Sequence, residues 1–191
     1  LLSSAASDVY KRQYVESAEN LVKANSLKLK IQKSNAQLLV LKTNQLKVIT
    51  NNLKNNYHKF SNDPISIFIV GLPRCGSTLI ESIISLNNEV KDLGEVNIFE
   101  EAFEECRKSK QDLDISESYK NKIKNTNNQT AITTNKWLFN YQYAGIISKT
   151  IPNAKIIHCY RNPLDNILSI YRAHFAAVSY THLTLPTKEG V

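Results

Sequence analysis

The feature that most constrains this chain is the stretch from Ile65 to Ile80. Ile65-Ser66-Ile67-Phe68-Ile69-Val70 is a short apolar, β-branched run that stops at Gly71. Leu72-Pro73-Arg74-Cys75-Gly76 then reads as a tight loop, and Ser77 onward as a helix. A strand, a glycine-bearing loop and a helix in that order make the helix start an anion site. Backbone N–H groups without intrahelical partners converge there, and the helix dipole adds roughly half a positive charge. Arg74 adds a full one. The stretch therefore reads as a phosphate or sulfate cradle.

The rest of the chain supplies the frame for such a loop. Residues 14–60 contain no Gly and no Pro, and their apolar residues recur at three- and four-residue steps, which predicts two or three amphipathic helices. Ser61-Asn62-Asp63-Pro64 is a turn cluster. After the loop, Ser77–Leu86 is expected as a helix with Leu79, Ile80, Ile83 and Ile84 buried, ended by Asn87-Asn88. Glu89–Leu93 reads as a short extended piece, residues 96–108 as an amphipathic helix, and 109–129 as short helix and loop. Thr130–Thr134 predicts a strand, Leu138–Lys149 a helix, Ala154–Tyr160 a second buried strand through Ile156 and Ile157, and Pro163–Phe175 a helix. Alternating strands and helices predict a parallel sheet covered on both faces, with ligands beyond the strands' carboxyl ends. The expected fold class is α/β: a P-loop-like three-layer α/β/α core, incomplete at its C-terminal side and preceded by an α-helical segment.

The chain ends stand apart from this pattern. Asp8–Gln13, back-translated as GAT GTG TAT AAG AGA CAG, reverse-complemented and shifted in frame, spells Val178-Ser179-Tyr180-Thr181-His182. The flanking residues 3–7 and 184–187 are related in the same way. An inverted repeat of this kind resembles a translated transposase-type sequencing adapter. The expected division is therefore 1–13 and 178–191 adapter-derived, 14–60 a helical segment, and 61–177 the N-terminal part of a catalytic domain. On that division the piece itself is expected to be inactive. It holds no Met.

Charge bears on function once it is located. The formal net charge is +7, but residues 14–60 carry eight Lys against two Glu, while residues 61–177 carry 13 residues of each sign. The basic excess belongs to the helices and not to the loop, and solvated lysines on helices need no nucleic-acid partner. The three Cys (75, 106 and 159) have neither disulfide-framework nor zinc spacing, and no apolar run approaches a membrane span. The cytoplasm is the expected compartment.

The loop nearly fits the nucleoside-triphosphate pattern G-x-x-x-x-G-K-[ST], with Gly71 and Gly76 correctly spaced. It departs where it matters, because Ser77 stands in place of the lysine. The later strand also ends in Arg161 where an acid would hold Mg²⁺. What remains is an anion loop of backbone amides with Arg74, Ser77 and Thr78. A second motif, Tyr160-Arg161-Asn162-Pro163-Leu164-Asp165, has Asn162 as N-cap, Pro163 at the first helical position and Asp165 where a capping box places its acid. Arg161 then projects from a strand end, with Ser169 two turns along the helix.

Phe68 to Leu79 resembles the 5′-phosphosulfate loop of sulfotransferases, especially the tetratricopeptide-repeat-linked bacterial group and the related tyrosylprotein sulfotransferases. Gly94-Glu95, Thr134-Asn135-Lys136 and Pro152 to Asp165 resemble that family's next landmarks in order. The resemblance runs over residues 64–175, with 14–60 more loosely like the linker helices that follow the repeats. It implies 3′-phosphoadenosine 5′-phosphosulfate as donor and no required metal. By the same resemblance Arg74, Cys75, Gly76, Ser77 and Thr78 hold the 5′-phosphosulfate, and Arg161 and Ser169 the 3′-phosphate. Glu95 is the implied base, with Lys136 and Arg74 stabilising charge during transfer. Cys75 stands where the family usually has Ser, and His158 is taken as structural. The acceptor, a hydroxyl or amine on protein tyrosine or a small molecule, is not readable. The N-terminal helices are a candidate protein-binding segment. The rivals are a P-loop nucleotide kinase, which needs the missing Lys, and a non-catalytic nucleotide-binding or protein-interaction module.

Overall fold

The computed structural model describes residues 2–31, 36–54, 64–109, 114–126 and 131–173. In chain order these form α1 (Leu2–Ile31), α2 (Ala36–Asn52), β1 (Ile65–Gly71), α3 (Ser77–Ile84), β2 (Val90–Asp92), α4 (Ile98–Lys108) and α5 (Ile115–Thr126). Then come β3 (Ile132–Asn135), a 3-10 helix (Leu138–Tyr143), α6 (Ala144–Thr150), β4 (Ala154–Cys159) and α7 (Pro163–Arg172). The described residues fall into two compact units. One comprises those up to Leu39 together with those from Ile167 on, and the other is Val40–Asn166. In the first, the Asn25 side-chain amide donates to the Tyr171 carbonyl at 3.2 Å.

The second unit is built on a four-stranded, wholly parallel sheet in the order β2-β3-β1-β4. The chain runs from β1 to β2 past the position that β3 later fills, returns to β3, and then crosses β1 to reach β4. Direction therefore reverses around β1, the apolar strand at the centre. Such a reversal opens a crevice at the carboxyl ends of the strands. The segments following β2, β3, β1 and β4 all emerge at that one edge.

Side-chain alternation assigns the layers. Phe68 and Val70 share a core with Phe99, Ala102 and Phe103 of α4, Tyr119 of α5, Tyr143, and Ile146 and Ile147 of α6. The rings of Phe68, Phe99 and Tyr119 lie 5.5 to 5.9 Å apart, and Phe103 sits 5.4 Å from Tyr143. These are the tilted and edge-on arrangements that aromatic quadrupoles favour. Leu46 of α2 joins the same core, and Lys149 Nζ donates to the carbonyls of Thr50 and Leu53 where that helix ends. On the opposite face, Ile69 is fully buried. Thr134, level with Ile67 in the β1–β3 register, there donates its hydroxyl to Glu81 of α3. Helices thus cover both faces, giving the expected α/β/α layering.

Several local expectations need correction. Helix α3 ends at Ile84, with Ser85 as its C-cap, short of Leu86 and Asn87-Asn88. Its phase also differs: Leu79 and Ile83 are exposed, while Ser77 and Glu81 face inward. The polar contact of Glu81 sets the phase and overrides the apolar pattern. Among the described residues strand β4 has a neighbour on one side only, and there Ile156 is exposed and Ile157 half-buried. The predicted helix over Leu138–Lys149 begins instead as a 3-10 helix. There Asn135 Oδ1 accepts from Trp137 N at 3.1 Å and Asn140 Nδ2 at 3.0 Å, winding the entry tightly. Residues 55–63 and 174–191, with the predicted turn at 61–63, Phe175 and the carboxyl-terminal tail, lie outside the described residues.

Candidate active site

The loop from Gly71 to Gly76 is shaped by close approach and by handedness. Gly71 has φ 152°, and a Cβ there would lie 2.5 Å from the Cys159 carbonyl oxygen of β4. Only glycine lets β1 end against its neighbour in this way. Arg74 (φ 67°) and Gly76 (φ 97°) are both left-handed, and Cys75 N donates to Leu72 O at 3.3 Å. A left-handed arginine is a strained conformation that the surrounding turn must hold. Helix α3 starts immediately after Gly76, and no side chain caps it. Its first-turn N–H groups therefore have no intrahelical acceptor and face the carboxyl edge of the sheet. That uncapped start, beside an exposed Arg74, suits an oxyanion held by backbone donors.

Strand β3 delivers Lys136 to the same place. Lys136 Nζ lies 3.2 Å from Thr78 Oγ1, 3.2 Å from Glu95 Oε1 and 3.3 Å from Glu81 Oε2. Its backbone N–H donates to Gly94 O at 3.0 Å, which ties the turn after β2 to the end of β3. Gly94 is left-handed (φ 71°), so the chain reverses there and presents Glu95. The side chains of Lys136 and Glu81 are each 7% exposed, whereas that of Glu95 is 48% exposed. Glu95, Lys136 and Thr78 are thus brought together. Glu81, which completes the group, was missed in the sequence. A lone acid among Leu79, Ile80, Ile83 and Ile84 was its only signal.

The end of β4 supplies the second anchor. Asn162 Oδ1 accepts from Leu164 N at 3.0 Å and Asp165 N at 3.3 Å, the N-cap expected from its position. Arg161, between this cap and β4, is exposed. Asn166, buried to 2% exposure, donates from Nδ2 to Pro73 O at 2.6 Å. The start of α7 is therefore fastened to the loop after β1 by a residue that the sequence did not single out. Ser169 lies further along α7, in the part that belongs to the first unit. Burial pushes the Cys159 thiol above its ordinary range, and the neighbouring Cys75 thiol adds to the rise. Neither cysteine is followed by the arginine that a phosphatase loop needs. Among the described residues no group of three or more His, Cys, Asp or Glu could hold a metal ion, and no helix is long and apolar enough to cross a membrane.

A three-layer parallel fold here brings an uncapped helix start, a lysine and a carboxylate to one sheet edge, an arrangement that suits an anion. Residues 64–188 match the sulfotransferase family. The chain belongs to that family. The match runs further toward the carboxyl end than the motifs that carried the resemblance. An uncharacterised protein of Aquifex aeolicus (strain VF5) is 30% identical over 131 residues, a match that covers 58% of this chain and 17% of the relative. This chain accordingly spans a small part of that relative's length.

Proposed function

We propose that the protein is part of an enzyme that moves a sulfuryl group from 3′-phosphoadenosine 5′-phosphosulfate to a hydroxyl or amine. The observation that carries this reading is the meeting of Thr78, Lys136 and Glu95 beside the uncapped start of α3. The donor supplies an electron-poor sulfuryl group on a phosphate leaving group. The residues present fit it: amides from Cys75 to Thr78 with Arg74 would hold the phosphosulfate, and Arg74 can engage two oxygens at once. Arg161 would hold the 3′-phosphate. Lys136 would neutralise charge that builds on the leaving oxygen. Half-exposed Glu95 can take the acceptor's proton, because a carboxylate within hydrogen-bond reach suffices as a base when the hydroxyl is being consumed. No metal is assigned a role. Ser77, standing where a triphosphate loop has its lysine, counts against a nucleotide kinase.

Calorimetric titration of the chain with adenosine 3′,5′-bisphosphate tests this reading. Arg74→Ala and Arg161→Ala are each expected to weaken binding about tenfold or more, the worth of a charged hydrogen-bonded contact. Unchanged affinity in both variants overturns the proposal.

A further inference from the structure

We infer that Glu81 is the positioning residue for Lys136, holding its ammonium at the start of α3 for the donor. The inference rests on the sulfotransferase reading above. A lysine side chain has four rotatable bonds and loses much rotamer freedom when fixed. Here the ammonium donates to Glu95 Oε1 and Thr78 Oγ1 and forms an ion pair with Glu81 Oε2 at 3.3 Å. The three partners are not equal. Glu95 is half in water, where an ion pair holds weakly. Glu81 shares the buried layer between α3 and the sheet with Lys136, where the attraction is screened far less.

Glu81 is itself fixed from the sheet. Thr134 donates its hydroxyl to Glu81 Oε1 at 3.0 Å, leaving Oε2 for the lysine. Thr78 and Glu81 lie three residues apart on α3 and so share a face. One helix turn therefore offers an acceptor and a counter-charge to a single ammonium. Two consequences follow. Lys136 meets the donor already oriented, so little is lost in ordering it. The exposed flank of the cluster, Glu95, can separate from Lys136 while Glu81 keeps the ammonium in place. Glu81 is not a catalytic residue: it is buried, and its carboxylate meets Lys136 and Thr134.

A double-mutant cycle on nucleotide affinity tests this. Wild type, Glu81→Gln, Lys136→Met and the double variant are titrated with adenosine 3′,5′-bisphosphate, each first shown to be folded by its thermal transition. Lys136→Met is expected to weaken binding about tenfold and Glu81→Gln about fivefold, with Glu81→Gln silent once Lys136 is gone. Glu81→Asp should recover part of the loss. A purely structural Glu81 would alter melting but not the affinity of folded protein. Wild-type affinity in folded Glu81→Gln, or an equal loss in the Lys136→Met background, overturns the inference. If Glu81→Gln does not fold, Thr134→Val replaces it, removing only the hydrogen bond that holds Glu81. A loss of about twofold that vanishes in the Lys136→Met background supports the inference, and no loss overturns it. Failure of the wild type to bind nucleotide overturns the sulfotransferase reading itself, and the inference with it. That outcome differs from a silent Glu81, which leaves wild-type binding intact.

Discussion

The ends of β3 and β4 deliver one cation each to the same sheet edge in opposite states. Lys136 is buried and meets three side chains, two from α3 and one from the turn after β2. Arg161 is exposed, and the order around it comes from Asn162 and Asn166 rather than from its own charge. The difference reflects position in the sheet. Strand β3 is flanked by β1 and β2 and lies under α3, whereas among the described residues β4 has a neighbour on one side only. An interior strand end can build a preset charge; an edge strand end offers one to solvent or ligand. The two cations should therefore answer mutation differently, Lys136 through stability as well as binding and Arg161 through binding alone.

The largest expected effect comes from Lys136→Ala, which leaves Glu81 buried without its counter-charge. A loss of about 3 to 5 kcal/mol in urea-induced unfolding is expected, the usual cost of breaking one side of a buried pair. A near-neutral result would erase the contrast with Arg161. Arg161→Ala should change unfolding free energy by no more than about 0.5 kcal/mol, as for an exposed residue, while weakening nucleotide binding. A large loss of stability there would give Arg161 a structural role.

The smallest effect belongs to the surface pair of Lys122 and Glu105, 2.7 Å apart. The same chemistry occurs there without burial. The hydrogen bond from Lys122 holds the Glu105 carboxyl below its ordinary range. Its contribution to stability is present above the unfolded carboxylate range and is lost as pH falls through the lowered folded value. Glu105→Gln should therefore cause a slight drop in melting temperature at neutral pH, with the difference vanishing well below the carboxylate range. A drop that persists in acid would mean that the pair acts through packing.

Much of this contrast could be read in the sequence. The β-branched run ending at Gly71, the second glycine at 76 and the Asn162-Pro163 start of α7 each depend on local chemistry, and local chemistry is written in order. Gly94-Glu95 and Lys136 were legible only through the family resemblance. The phase of α3 was not legible. Its apolar residues pointed to one face, and the choice was made instead by Glu81 meeting Thr134 and Lys136, 53 and 55 positions away in the chain. Asn166 was hidden in the same way, since its partner Pro73 lies 93 residues earlier. The exposure of Ile156 depends on which strand lies at the edge, a property of sheet order and not of the strand's own composition.

The central claim is that the anion site is the loop after β1 together with the start of α3. The most direct measurement is the amide spectrum of the ¹⁵N-labelled chain during titration with adenosine 3′,5′-bisphosphate. The account predicts saturable shifts of the Cys75, Gly76, Ser77 and Thr78 amides, with Phe99–Phe103 in the opposite layer unmoved. Saturable shifts that leave residues 75–78 unchanged, or no shifts at all, would contradict it.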